Sequence, residues 1–158
     1  MLARRGDEIT TEMEWLNYVV FCHRARGSKM FLEEFEANVC PVLETLQGAA
    51  SNFAPPFVNG DGCGLPYLAD RAVVIVSSIC AEDPTIGESF GYNVSKAALN
   101  QIGRLFSKRG GIRVNTVSPA GFTAPGAKIN AHDVARVIAF LCSPQSSGIN
   151  GQDIKVTG

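Results

Sequence analysis

Two kinds of hydrophobic pattern alternate along the chain. Short, continuous apolar runs predict strands at Tyr18–Cys22, Ala72–Val76, Ile112–Val117 and Asp153–Val156. Apolar residues that recur every three or four positions predict helices over Leu32–Leu46, Tyr92–Lys108 and about Ala131–Leu141. The run AVVIV has no polar side, which is typical of a strand buried on both faces of a parallel sheet. The alternation therefore predicts an α/β fold with right-handed crossovers.

The organisation of the chain indicates one domain over residues 1–158, because that length suits a single core. Asn130 is placed to cap the third helix, and Asp133 would favour the positive end of that helix. Ser51–Asp70 is rich in Gly, Pro and Asn, and we expect it to be mobile or partly structured rather than a domain boundary.

Charge and cysteine content narrow the class of protein. A formal net charge of -1 offers no electrostatic footprint for nucleic acid or an anionic membrane. The longest apolar run falls well short of the roughly 20 residues that span a bilayer. Five cysteines without a CxxC pair favour a reducing compartment, and the N-terminus MLARRGDEITTE lacks the apolar segment of a signal peptide. We therefore expect a cytoplasmic protein.

Several local motifs are better explained without a special role. Gly60, Gly62 and Gly64 do not have G-x-G-x-x-G spacing, and their tract leads into a strand instead of following one. Asn93-Val94-Ser95 matches a glycosylation sequon by chance at a helix start. Neither His23, beside Cys22, nor His132 has the neighbours that a metal site or a nucleophile triad needs, so no metal is expected.

Tyr92 and Lys96 are the strongest candidates for chemistry. Four residues apart on a predicted helix, they lie on the same face. A nearby ammonium favours the phenolate, which suits a tyrosine that exchanges a proton with a substrate oxygen. The spacing alone is a weak signal. Its context supports it, because Ser77 and Ser78 end the strand AVVIV at the carboxyl edge, where open α/β sheets place their sites.

The sequence resembles the short-chain dehydrogenase/reductase (SDR) family. The matching segments, in family order, are VVIVSS, YNVSKAAL, GIRVNTVSPAGFT and SSGINGQDIKVTG. A weaker match, FEANVCPVLETLQ, aligns Asn38 with the asparagine of the family's catalytic tetrad. WLNYVVFCHRA resembles the family's fourth strand, with Phe21-Cys22-His23-Arg24 in place of the usual Asn-Asn-Ala-Gly turn. The resemblance implies a partial, Rossmann-like, doubly wound parallel sheet of about four strands with flanking helices.

The resemblance also implies roles for single residues and a cofactor. Tyr92 would be the general acid/base, and Lys96 would make it a stronger acid and hold the nicotinamide ribose of NAD or NADP. Ser78 would hydrogen-bond the oxygen of a small carbonyl or alcohol substrate, and Asn38 would anchor a water in a proton relay. The remaining cofactor contacts at the nicotinamide end would come from Pro119, Gly121 and Thr123.

If YVVFC is the fourth strand, we expect the family's first three strands and its Gly-rich pyrophosphate turn to be missing from this chain. Cofactor binding would then be weakened, and YVVFC would become a sheet edge. Two hypotheses follow. The chain is an SDR oxidoreductase, or it is a catalytically impaired remnant that pairs with a full-length relative. The family's subunits associate through the helices that match Leu32–Leu46 and Tyr92–Lys108, so a homo-oligomer or a pairing with a related SDR subunit is expected.

Overall fold

A computed structural model describes residues 18–25, 30–50, 71–83, 89–109, 112–121 and 126–158. Its four strands are β1 (Tyr18–Phe21), β2 (Ala72–Val76), β3 (Arg113–Pro119) and β4 (Asp153–Val156). Its three α-helices are α1 (Phe31–Ala50), α2 (Phe90–Ser107) and α3 (Ala131–Cys142). Two short 3-10 turns follow β2 and α3, at Ile79–Ala81 and Pro144–Ser146.

The strands form one parallel sheet in the order β1-β2-β3-β4. Tyr18 is opposite Ala72, and Ala72 is opposite Arg113, so the strands start nearly level. Each crossover within this sheet carries one of the three helices. The predicted α/β class and the Rossmann-like parallel sheet of four strands are confirmed.

The sheet is buried on both faces, as the apolar run of β2 predicts. Val73 and Ile75 join the core formed with α1 and α2, which also contains Val42 and Leu99. Val74 points the other way into a second core with α3, which includes Val117, Val134 and Leu141. Successive residues of a strand face opposite sides of the sheet, so β2 contributes to both cores.

Element boundaries moved by only a few residues. α1 is longer than predicted and contains Pro41, whose carbonyl accepts a hydrogen bond from Thr45 Oγ1. β3 continues to Pro119, because its last residues pair with β4. The Asn130 cap is confirmed as a full capping box with Asp133. The glycines of the tract Ser51–Asp70 lie outside the described residues.

Arg113 ties α3 to the sheet. It is buried at the start of β3, and its guanidinium donates to the carbonyl oxygens of Leu141 and Ser146 and, at 3.3 Å, to that of Ser143. Leu141 and Ser143 lie at the carboxyl end of α3, where helical carbonyls have no partner within the helix, and Ser146 lies in the 3-10 turn that follows. The arginine therefore fixes the helix that covers the second face of the sheet.

Candidate active site

The first turns of α2 hold Tyr92 and Lys96 inside the protein. Ser89 caps the helix, and its hydroxyl accepts a hydrogen bond from the amide of Tyr92. The two side chains are 4% and 1% exposed. The ammonium nitrogen Nζ of Lys96 lies 5.6 Å from the centroid of the Tyr92 ring. The helical spacing read from the sequence therefore does bring the two groups together.

Lys96 reaches from α2 to the carboxyl ends of two strands. Its Nζ donates to the carbonyl oxygen of Val76 at 3.0 Å and to that of His23 at 3.4 Å. The hydroxyl of Ser77 in turn donates to the backbone carbonyl of Lys96 at 3.0 Å. Burial lowers the pKa of Lys96 to about 8, with a smaller contribution from the positive charge of Arg24 and a partial opposing effect of Cys22.

Ser78 and the end of β3 lie at the same edge of the sheet. Ser78 follows β2 after Ser77 and is buried, and its hydroxyl caps the 3-10 turn by accepting from the amide of Cys80. Ser77 N donates to Val117 O at 2.7 Å, which joins this segment to β3.

Pro119 ends β3, and Gly121 follows on an open surface where an added Cβ would meet nothing within 4 Å. Thr123, the other predicted cofactor contact, lies outside the described residues.

Asn38 is fully buried in α1 and holds the turn that follows β1. Its amide nitrogen donates to Ala25 O at 2.9 Å and to Ser95 Oγ at 3.1 Å, and its side-chain oxygen accepts from Ala25 N. The ring of His23 donates from Nε2 to the backbone carbonyl of Asn38 at 2.9 Å. The predicted site residue Asn38 therefore links α1 to the turn after β1 and to α2 through its hydrogen bonds.

Within the part of the chain that the structure describes, no three His, Cys, Asp or Glu residues are grouped as a metal site requires. The described helices are also too short or too polar to cross a membrane.

The known proteins with similar sequences are named as dehydrogenases or reductases, or as their homologues. No protein-family model matches the chain. Dehydrogenase/reductase SDR family member 2, mitochondrial, of Homo sapiens is 33% identical over 120 residues, which are 60% of this chain and 42% of that protein. A tropinone reductase homologue of Arabidopsis thaliana is 29% identical over 151 residues, 80% of this chain and 53% of its own length.

Solved structures give the same answer at the level of the fold. A short-chain dehydrogenase from Mycobacterium smegmatis superposes with a TM-score of 0.75 at 22% identity, covering 97% of this chain and 65% of that one. Another from Leptospira borgpetersenii, with bound NAD+, gives 0.74 at 18% identity, covering 96% and 68%. The chain is a homologue of the short-chain dehydrogenases/reductases. It spans about half the length of the curated relatives that it matches.

Most of the candidate site residues lie in segments that resemble SDR motifs, and the turn after β1 is where the chain departs from those motifs. The sequence comparison with the family marked Phe21-Cys22-His23-Arg24 as a replacement, without giving these residues a role. In the structure, His23 contacts both Asn38 and Lys96. The guanidinium carbon of Arg24 lies 5.3 Å from the centroid of the Tyr92 ring. The unusual turn therefore contacts three of the candidate site residues, Asn38, Lys96 and Tyr92.

Glu34 is another residue that sequence reasoning missed. It is buried on α1, and the hydroxyl of Ser89 donates to its carboxylate at 2.5 Å. The available signal was its spacing, because Glu34 lies one turn before Asn38 and two before Val42, on the face of α1 that packs inward. An acidic residue on a buried face requires a hydrogen-bond donor, and here the donor is the cap of α2.

Proposed function

We propose that the chain forms the catalytic part of an NAD- or NADP-dependent oxidoreductase, which transfers hydride between the nicotinamide and a small carbonyl or alcohol substrate. The observation that carries this proposal is the buried Tyr92–Lys96 pair at the carboxyl edge of a parallel sheet. Such an edge is where open α/β sheets bind their ligands. The homology to SDR proteins supports the same class of reaction.

In this proposal Tyr92 is the general acid/base. It donates its phenolic proton to the substrate oxygen during reduction and takes a proton back during oxidation. The positive charges of Lys96 and Arg24 beside the ring favour the phenolate that remains after donation. Because the phenol is almost completely buried, this charge acts in a medium that screens it less than water does.

Ser78 and Asn38 complete the proposed machinery. The Ser78 hydroxyl accepts from the amide of Cys80 at this edge of the sheet, and in this proposal it would donate its own proton to the substrate oxygen. Asn38 keeps its proposed place in the proton relay, in which it would anchor a water. Its contacts with Ala25 and Ser95 also position the turn against α2.

The residues at the nicotinamide end fit a cofactor. An ammonium has three N–H donors. Two of those on Lys96 are directed to the carbonyls of Val76 and His23, which leaves one for a ribose hydroxyl. Pro119 and Gly121 would line the nicotinamide, with Thr123 beyond them, and the surface at Gly121 is open. When bound, the cofactor supplies the hydride. We expect weak affinity for the 158-residue chain alone, since its described residues hold only this end.

The proposed partner is a second copy of the chain or a related SDR subunit. The face of α1 and α2 that lies away from the sheet exposes large apolar side chains, including Leu32, Phe90 and Leu105. Exposed apolar groups on two adjacent helices favour association. An impaired remnant that serves only as a subunit of such a complex is the competing hypothesis. The buried Tyr92–Lys96 pair favours catalysis over it.

A cofactor titration tests the proposal. Calorimetry of the purified chain with NADH and NADPH is expected to show saturable binding by one of them. Gly121→Phe should fill the open space and weaken that binding, whereas Gly148→Phe is a matched control, since an added Cβ at Gly148 also meets nothing within 4 Å. No saturable binding of either nucleotide up to millimolar concentration would contradict a stand-alone enzyme, and equal losses in both variants would contradict the site at Gly121.

A further inference from the structure

Two cations approach the ring of Tyr92, and one of them is outside the catalytic motif. Arg24 Cζ lies 5.3 Å and Lys96 Nζ 5.6 Å from the ring centroid. A cation within about 6 Å of an aromatic centroid is attracted to the ring. The attraction is stronger when the ring belongs to a negatively charged phenolate. Lys96 is buried, whereas Arg24 lies in the turn after β1 and is exposed.

The backbone on both sides of Arg24 is anchored. The ring of His23 donates to Asn38 O, and the carbonyl of His23 accepts from Lys96. Ala25 exchanges two hydrogen bonds with the Asn38 side chain, one through its N–H and one through its carbonyl. A buried residue of α1 therefore fixes the backbone of the turn from which Arg24 reaches the ring of Tyr92.

The two cations differ in how they respond to pH. The pKa of Lys96 is about 8, because burial and then Arg24 disfavour its charged form. The amine of Lys96 therefore loses its proton, and with it its positive charge, in mildly alkaline solution. A guanidinium stays protonated throughout that range. Above about pH 8, Arg24 is the cation beside Tyr92 that keeps its full charge.

We propose that Arg24 is a positioning residue that holds a permanent positive charge over Tyr92 and so promotes its ionisation. This inference rests on the proposed function, in which Tyr92 is the acid/base. It adds a residue from the turn after β1 to the electrostatics of the site.

Other titratable groups lie on the elements that pack around Tyr92. Cys22 and His23 are in the same turn, Cys80 is in the 3-10 turn after β2, and Glu34 projects from α1 toward the start of α2. The carboxylate of Glu34 would oppose ionisation of the phenol. These groups remain when Arg24 is replaced. Lys96 would bind its proton more tightly in Arg24→Gln, because Arg24 disfavours its charged form, so the measured shift is a lower bound on the effect of the arginine.

Fluorine NMR of the chain labelled with fluorinated tyrosine tests the proposal without cofactor or substrate. The fluorinated phenol is more acidic than tyrosine, so it ionises at a lower pH. The chain has three tyrosines, and the resonance of Tyr92 is identified by its loss in Tyr92→Phe. Arg24→Gln should raise the midpoint of this resonance by about one pH unit, a tenfold change in the ionisation constant.

Two controls make the test specific. Arg24→Lys keeps the charge and should restore much of the shift. Arg136→Gln removes an exposed arginine that pairs with Asp133 on α3 and should leave the midpoint unchanged. Equal midpoints in wild type and Arg24→Gln would overturn the proposal, as would an equal shift in Arg136→Gln. If the midpoint moves while Tyr92→Phe retains turnover, the proposed function fails, and only the electrostatic effect of Arg24 on Tyr92 stands.

Discussion

The folded protein disfavours the charged form of Lys96. The side chain is almost completely buried, and burial is the main cause that lowers its pKa from 10.5 to about 8. Below pH 8 the amine is charged in both the folded and the unfolded protein. Between about pH 8 and 10.5 the folded protein has lost a proton that the unfolded chain still binds, so this group makes the free energy of unfolding rise with pH.

Lys96→Met removes this dependence. The free energy of unfolding of the variant minus that of wild type should be largest at pH 7. This difference should be about 2 kcal/mol smaller at pH 10, because only wild type gains stability as the pH rises. Urea unfolding of both proteins at the two pH values measures the change, and the other titrating groups cancel because the proteins share them. A constant difference across this range would show that Lys96 is not held in a buried, destabilised charged state.

At the residue scale, the sequence predicted that Tyr92 and Lys96 lie together and missed the residues that surround them. Tyr92 and Lys96 could be found because their spacing and the serines before them are local features. The contacts of Arg24 and Glu34 could not, because they cross between elements that are distant in sequence. Arg24 reaches Tyr92 from a turn 68 positions earlier, and Ser89 bonds to Glu34 across 55.

The junction of α1 and α2 sets where the site residues lie. Gly91 precedes Tyr92, and a Cβ at Gly91 would lie 2.5 Å from Glu34 Oε2 and 3.2 Å from Phe31 O. The two helices are therefore as close as a glycine allows. The hydrogen bond from the Ser89 hydroxyl to Glu34 is formed at the same contact.

Gly91→Ala should separate these helix ends. We expect a loss of about 1–3 kcal/mol in the free energy of unfolding, because the added methyl group overlaps packed atoms. Gly148→Ala is the matched control, since its Cβ meets nothing within 4 Å. Thermal or urea unfolding of the two variants measures the effect, and equal stabilities would contradict the close approach of α1 and α2.

At the element scale, prediction succeeded where a pattern is local and failed where pairing decides. The apolar runs of β2 and β4 gave their bounds, because both strands are short and flanked by polar residues or glycine. β3 extends through Ser118 and Pro119, which carry no strand signal. Pairing with Lys155 and Val156 holds those residues extended. α1 continues four residues beyond Leu46, despite an internal proline.

Association is the property that belongs to the whole molecule. Phe90 is 75% exposed on α2, and its ring centroid lies 5.5 Å from that of Phe31 of α1, with the rings tilted by 44°. Phe90→Ser should shift the protein toward smaller species, because it removes apolar area from the proposed subunit face. Phe140→Ser is the control, since Phe140 is 45% exposed on α3, across the sheet. Sedimentation velocity would contradict this face if the two variants dissociate alike or if wild type is a monomer.

The most direct measurement of the central claim is turnover by Tyr92→Phe. The rate of NADH or NADPH oxidation is followed with a panel of aldehydes and ketones for wild type, Tyr92→Phe and Tyr18→Phe. Tyr18 is a suitable control, because it is 41% exposed on the edge strand β1. We predict that loss of the Tyr92 hydroxyl lowers kcat by about 10²–10⁴-fold with cofactor affinity nearly unchanged, and that Tyr18→Phe resembles wild type. Wild-type turnover in Tyr92→Phe would contradict the account.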